Sequence, residues 1–289
     1  MKSLLKTVQM QFKLMTTTKS FLLGMSINFV YVFITYMYYV INSMGHDIST
    51  VVSPSAVFPL NTGSAFFDVY INIVPFLVVL PFSMSYLTDK NNCALPMIQS
   101  RSSVGIYYTA KSIVCFLGGG LVFIIPMIVS VCLNTITFPA SGITPFGDLF
   151  DMNFDLFISG ANIVLPTIWK GLWLPRLFIF SPEMYAILFS ILFSLFAGVL
   201  SLFTFSVSLV IKRFKILLFL PAYLFITLTN TLDSLFYNGN NFMSYKIFQY
   251  VTVNAQFGKN PLFLAVVVML LLSISVVLII RQAHIDQLD

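Results

Sequence analysis

The sequence predicts an all-α, polytopic membrane protein with six transmembrane helices and an N-terminal interfacial helix. Three observations predict it. Hydrophobic residues fill 58% of the 289 positions and charged residues only 9%, whereas a soluble domain carries about 25% charged residues. Six apolar runs approach the roughly 20 residues that a helix needs to cross a hydrocarbon core about 30 Å thick. Basic residues gather between those runs instead of forming one stripe, which is a topology signal and not a nucleic-acid footprint. Soluble enzymes, disordered tails, coiled coils and nucleic-acid binders are excluded on these grounds.

Residues 1–19 come first. Leu4, Leu5, Val8, Phe12 and Met15 recur at helical spacing, with Lys2, Lys6, Gln9 and Lys13 elsewhere on the wheel. That suits a cytoplasmic helix lying in the headgroup layer with its lysines toward anionic lipid; a frayed basic tail is the alternative. It is not a signal peptide, because Lys6 and Lys13 interrupt it and the next run is too long for an h-region.

The transmembrane domain then occupies 20–289, with spans expected at roughly 20–42, 68–88, 106–133, 183–211, 216–236 and 262–280. Apolar residues cover both faces of each run, which argues for helices over barrel strands of about 10 residues. Pro75 and Pro81 in the second run, Pro126 in the third and Pro221 in the fifth are expected to kink their helices. Gly118, Gly119 and Gly120 should loosen the third. Ser190, Ser194 and Gly198 recur every four residues on the fourth, a small-residue ridge that lets another helix approach closely.

Charge sets the orientation. Lys2, Lys6, Lys13 and Lys19 precede the first span; Lys90, Arg101 and Lys111 lie between the second and third; Lys212, Arg213 and Lys215 lie between the fourth and fifth; Arg281 follows the sixth. The positive-inside rule therefore puts both termini of a multi-pass cell-membrane protein in the cytoplasm. The outer connections are 43–67, 134–182 and 237–261, the last either outside or dipping partly into the membrane. In the large extracellular loop 134–182, Trp169 and Trp173 sit in an apolar stretch also holding Lys170 and Arg176. An element along the outer interface, with indoles at headgroup depth, fits that composition.

Chemistry is sparse. His46 and His284 lie at opposite ends, with no H-E-x-x-H pattern and no G-x-S-x-G elbow, so neither a metal site nor an intramembrane protease is indicated. Cys93, Cys115 and Cys132 fit no metal spacing and read as packed thiols. The ionisable residues Lys111, Glu183 and Asp233 sit near span ends, while deeper polar residues such as Asn28, Asn72, Thr35, Thr204 and Asn230 are neutral. Ion-coupled carriers generally need a deep coordinating group, which lowers that reading without removing it.

The cytoplasmic loop 89–105 is more informative. Asp89, Asn91 and Asn92 are helix-capping types, and Pro96 is tolerated in a first turn. A short helix from about residue 95 to residue 102, exposing Met97, Ile98 and Arg101, stands against the alternative of a solvated loop. Joined directly to two membrane helices, such a helix passes a push from a soluble partner into both.

Asp89, Arg101, Ser102, Tyr107 and Lys111 form one stretch of resemblance. Phe180, Ser181, Pro182, Glu183, Met184 and Tyr185, with Ala197, Gly198, Ser206 and Ser208 further along, form another. With the basic residues 212–215 and Pro221, the chain resembles, over nearly its whole length, the six-span type-2 (ABC-2-like) permease subunits of ABC exporters. The resemblance implies a permease that forms half of a translocation pathway beside a second, identical or homologous subunit. It implies a cytoplasmic ATP-binding-cassette ATPase docked on Asp89, Asn92, Met97, Ile98, Arg101 and Lys111, with Arg101 suited to an acidic groove. Lys111 either faces that partner or reaches headgroup phosphate. ATP and Mg would be bound by the ATPase. This chain has no G-x-x-x-x-G-K-[ST], so it is expected to carry no cofactor and to be no enzyme itself. Its Phe, Tyr, Leu and neutral polar residues suit hydrophobic or amphipathic peptides, lipids or drugs as cargo. The alternatives are a membrane-embedded binding, immunity or scaffold protein and an ion-coupled secondary carrier. Segment 134–182 is longer than the smallest family members lead one to expect.

Overall fold

A computed structural model describes residues 2–61, 64, 66–91, 103–140, 174, 177, 180–211, 215–236, 245–253 and 261–288. Among these residues the regular elements are helical, and the β-pairing is an isolated parallel bridge between Asn61 and Val253.

Helix α1 (Lys2–Thr17) is followed at once by α2 (Lys19–Ser43). Thr18 separates them. Its backbone is extended, and its hydroxyl accepts from the Phe21 amide at 3.3 Å, satisfying one of the open donors at a helix start. Met15 is buried where α1 lies against the long helix α6 (Val104–Thr137). Helix α1 is thus seated on the bundle by its apolar stripe.

The segment after α2, part of the expected outer connection 43–67, is packed against the bundle over much of its length. Short helix α3 (Pro54–Val57) and residues Ser53, Phe58, Leu60 and Asn61 are buried, and Asn61 Nδ2 donates to the Ala56 carbonyl at 3.2 Å. The second expected span is split into α4 (Phe67–Val79) and α5 (Ser85–Asn91) by turns over 80–84. Pro75 is accommodated inside α4. The break falls at Pro81, whose missing N–H and bulky ring disfavour a helix interior.

Helix α6 runs unbroken through Gly118, Gly119, Gly120 and Pro126, so the expected loosening does not occur. The glycines serve close approach instead. A Cβ on Gly118 would collide with the Met15 sulfur, and one on Gly119 with the Ser201 side chain. Helix α7 (Pro182–Val210) starts with Ser181 as cap, its hydroxyl accepting from the Met184 amide at 3.2 Å. It lies at the centre, burying Phe189, Phe193, Ala197 and Leu200, with its most extensive contact against α6.

Helix α8 (Phe219–Phe236) follows a 3-10 turn at Lys215–Leu218. Pro221 falls in its first turn, where a missing N–H costs nothing, so no kink is required there. Short α9 (Ile247–Val251) is buried, and the Val253 amide donates to the Leu60 carbonyl at 3.0 Å. Residues 246–253 and the α3 segment therefore cap one end of the bundle together. Helix α10 (Pro261–Leu288) completes the chain and packs on α7.

Among the described residues four helices, α2, α6, α7 and α10, are long and apolar enough to cross a membrane. Leu22, Val30 and Phe33 on α2 and Val266, Met269 and Val277 on α10 are exposed, an apolar surface far more extensive than water-facing proteins show. Helix α4 has 13 residues and α8 has 18; at 1.5 Å per residue, α4 alone spans only about 20 Å. The two tryptophans, Trp169 and Trp173, lie outside the described residues.

Candidate functional site

The site is built where α5 ends and α6 begins. On α6, Tyr107 and Lys111 are four residues apart and share one face, while Tyr108 points about 100° further round. Asp89, near the end of α5, meets the first face. Lys111 Nζ lies 2.5 Å from Asp89 Oδ2, and the Tyr107 hydroxyl donates to the same oxygen at 2.8 Å. The Lys111 side chain is 0% exposed and that of Asp89 is 25% exposed. The ammonium also lies 5.4 Å from the Phe82 ring centroid and 5.0 Å from that of Tyr107, at cation–π range. A lysine can be held this deep because a carboxylate and two ring faces replace its water.

The second face of α6 is tied to α10. The Tyr108 hydroxyl donates to Asp286 Oδ2, and Gln282 Nε2 donates to Asp286 Oδ1 at 2.8 Å. The Tyr86 ring of α5 lies 6.0 Å from the Tyr108 ring, and Tyr107 lies 5.3 Å from it. Three helix ends are thus fastened to one another through two adjacent tyrosines.

Of the residues singled out in the sequence, Asp89 and Lys111 are brought together, with Tyr107. Lys111 stands behind the loop and not on its surface: it neither reaches headgroup phosphate nor faces outward. Asn92, Met97, Ile98 and Arg101 lie outside the described residues. Ser194 on α7 donates to the Gly120 carbonyl at 2.8 Å, and a Cβ on Gly198 would sit 2.7 Å from the Phe116 carbonyl oxygen. Ser190 is buried on the same helix and donates to the Ala186 carbonyl. The ridge is therefore the α6–α7 contact.

Sequence reasoning missed Tyr108, Gln282 and Asp286. The adjacent tyrosines at the start of a span were a usable signal. Nothing in sequence spacing relates residue 108 to residue 286.

Deeper polar groups hold the bundle. The Ser83 hydroxyl, in the turn between α4 and α5, donates to the Ser201 carbonyl at 3.2 Å and accepts from Thr204 at 3.1 Å. Asn28 Nδ2 donates to the Val122 carbonyl at 3.1 Å, while its Oδ1 accepts from the Tyr70 hydroxyl at 2.9 Å. Among the described residues, no group of three His, Cys, Asp or Glu side chains gathers to hold a metal.

What the fold and site define is a membrane-embedded, all-helical protein whose helix ends are fastened by two carboxylates. No family model, curated protein or solved structure matches the chain.

Proposed function

We propose that this chain is the permease subunit of an ATP-driven ABC exporter of the six-span type-2 class, forming half of the translocation pathway. The pair α4–α5 and helix α8 supply the two crossings beyond the four long helices, with both termini cytoplasmic. A cytoplasmic ATPase binding ATP and Mg docks on the connection that includes Asn92, Met97, Ile98 and Arg101. A second permease subunit, identical or homologous, faces this one. Cargo of hydrophobic or amphipathic character, such as peptides, lipids or drugs, suits the lining that such helices offer.

One observation carries the reading. Asp89 near the end of α5 accepts from both Tyr107 and Lys111 near the start of α6, on the two sides of the connection. A connection clamped at its base transmits displacement to the helices on both sides, whereas an unclamped loop absorbs it. That is the mechanical property a docking loop needs.

Co-expression with a cassette ATPase, followed by co-purification, tests the reading. Replacing Met97, Ile98 and Arg101 by Ala should abolish retention of the ATPase and ATP-dependent export. Unchanged retention would remove the docking assignment. Uphill transport by this chain alone in vesicles would remove the permease reading.

A further inference from the structure

A cleft of about 290 Å³ opens between the α1–α2 joint and the α4–α5 break. Its polar lining comprises Gln11, Thr17, Thr18, Ser85, Thr88 and Asp89, together with Ser20. Gln11 is 2% exposed, and its amide meets no hydrogen-bond partner among the described residues. The buried Ser85 hydroxyl on the opposite wall has none either. Buried polar groups in native proteins are hydrogen-bonded as a rule, so a carboxamide left open on the cleft wall indicates a polar occupant.

The wall decides the chemistry of that occupant. The Thr17 hydroxyl donates to the Leu14 carbonyl at 2.9 Å and Thr18 to Met15 at 2.7 Å. With their protons turned back into the helices, these hydroxyls present lone pairs. Asp89 receives both its donors on Oδ2, which leaves Oδ1 open, and a carboxylate has about four acceptor sites. Among the described residues no cation lines the cleft; Lys111 lies behind its wall, on Asp89 Oδ2. It is a surface of acceptors and calls for a group rich in N–H donors.

Its depth decides the source. The cleft sits where α2 begins, beside Lys19, and where α5 ends. Lys13 and Lys19 are exposed; Lys13 is one turn before Thr17 on the same face, and Lys19 adjoins Ser20. Leu14 on the rim is exposed, as are Leu22 and Leu23 beyond it on α2. An acceptor cleft, neighbouring cations and exposed leucines match in kind the ammonium, phosphate and acyl chain of a lipid.

We infer that this cleft binds the headgroup of an aminophospholipid, with a primary ammonium against Asp89 Oδ1, Gln11 and the threonine hydroxyls and the phosphate beside Lys13 and Lys19. The site is a property of the chain in any bilayer and does not depend on the transport reading. A quaternary ammonium has no N–H to give and is discriminated against.

Native mass spectrometry of the detergent-purified full chain, titrated with phosphatidylethanolamine, phosphatidylcholine and phosphatidylglycerol of matched acyl chains, tests this. One charge-assisted hydrogen bond gained corresponds to about tenfold tighter binding of the ethanolamine lipid over the choline lipid. Replacing Gln11→Leu together with Thr17→Val, which leaves Asp89 in place, should cut that preference to about threefold. The wild-type comparison stands without any variant, and the melting temperature in choline lipid establishes that the double variant is folded. Equal binding of ethanolamine and choline lipids overturns the proposal, as does glycerol lipid bound as tightly as the ethanolamine one. A folded double variant that keeps the full preference moves the site elsewhere. Displacement of the lipid by free ethanolamine at equal concentration would make it a soluble-amine site and overturn the lipid assignment.

Discussion

Replacing Asp89→Asn keeps the shape of the side chain and removes the charge that faces the Lys111 ammonium 2.5 Å away. Lys111 is 0% exposed and has no route to water. What remains beside it is the Phe82 ring at 5.4 Å and the Tyr107 ring at 5.0 Å. Each such contact is worth about 0.5–2 kcal/mol, and both are already present in the wild type, so neither offsets the loss. Breaking a buried pair from one side costs about 3–5 kcal/mol, and the lower figure suits a carboxylate already 25% exposed. Lys111→Met takes away the other partner with a different result. Methionine fills the same apolar cage, while Asp89 keeps the Tyr107 hydroxyl at 2.8 Å and gains water, for a cost of about 1 kcal/mol. The double replacement buries no charge and should lie near Lys111→Met alone. The coupling energy is then about 2–3 kcal/mol. Thermal unfolding of the detergent-purified chain, followed by far-ultraviolet circular dichroism, measures all three. Equal losses for the two single variants, or a double variant as unstable as their sum, would refute the asymmetry of burial on which this rests.

Gly198→Ala places a Cβ 2.7 Å from the Phe116 carbonyl oxygen and should cost about 1–3 kcal/mol through overpacking, whereas Gly105→Ala meets nothing within 4 Å and should be neutral or gain about 0.5–1 kcal/mol of helix stability. A melting-temperature comparison that fails to rank them in this order contradicts the α6–α7 packing. In a chain with Cys93→Ser and Cys132→Ser, Met44→Cys, exposed at 69%, should react with an impermeant maleimide on intact cells, and Ser103→Cys only after permeabilisation. The reverse pattern inverts the topology; Ser55 is a poor reporter for either case, being 8% exposed.

Helix positions were legible wherever one long apolar run had no competing signal. The first, third and fourth spans end within a few residues of where charge and capping residues place them. The second was not legible as two pieces. Pro75 and Pro81 look alike in sequence, yet Pro75 sits within α4 and Pro81 within the break. The difference lies in Ser83, whose hydrogen bonds to α7 hold the turn open, a tertiary partner 118 residues away. Burial of the Ser- and Pro-rich segment after α2 was hidden for the same reason. Its partner is residue 253, and composition carries no information about who covers whom. In the candidate site, Asp89, Tyr107 and Lys111 were singled out by the resemblance, Asp89 and Lys111 as part of a docking surface. Their pairing with one another was not foreseen, although a charge near a span end demands a counter-charge. Asp286 was not singled out, because a carboxylate in a terminal segment has no such demand until it is seen against Tyr108.

The two fastenings at the start of α6 differ in kind, and the difference bears on what can move. Asp89 is bonded to α6 through a buried ammonium that has no other carboxylate within reach among the described residues, so parting α5 from α6 strands a charge at several kcal/mol (about 3–5). Asp286 is bonded through the hydroxyl of Tyr108 and through Gln282 of its own helix. Releasing it strands no buried cation and loses the hydrogen bond from Tyr108 to a carboxylate, worth about 1.5–3 kcal/mol. Displacement of the connection between α5 and α6 would therefore carry these two helices together and part them from α10 first. The weaker tie sits on the helix whose outward face is most apolar and least enclosed by neighbours, so the direction of yielding is toward lipid, where no packed core has to be broken.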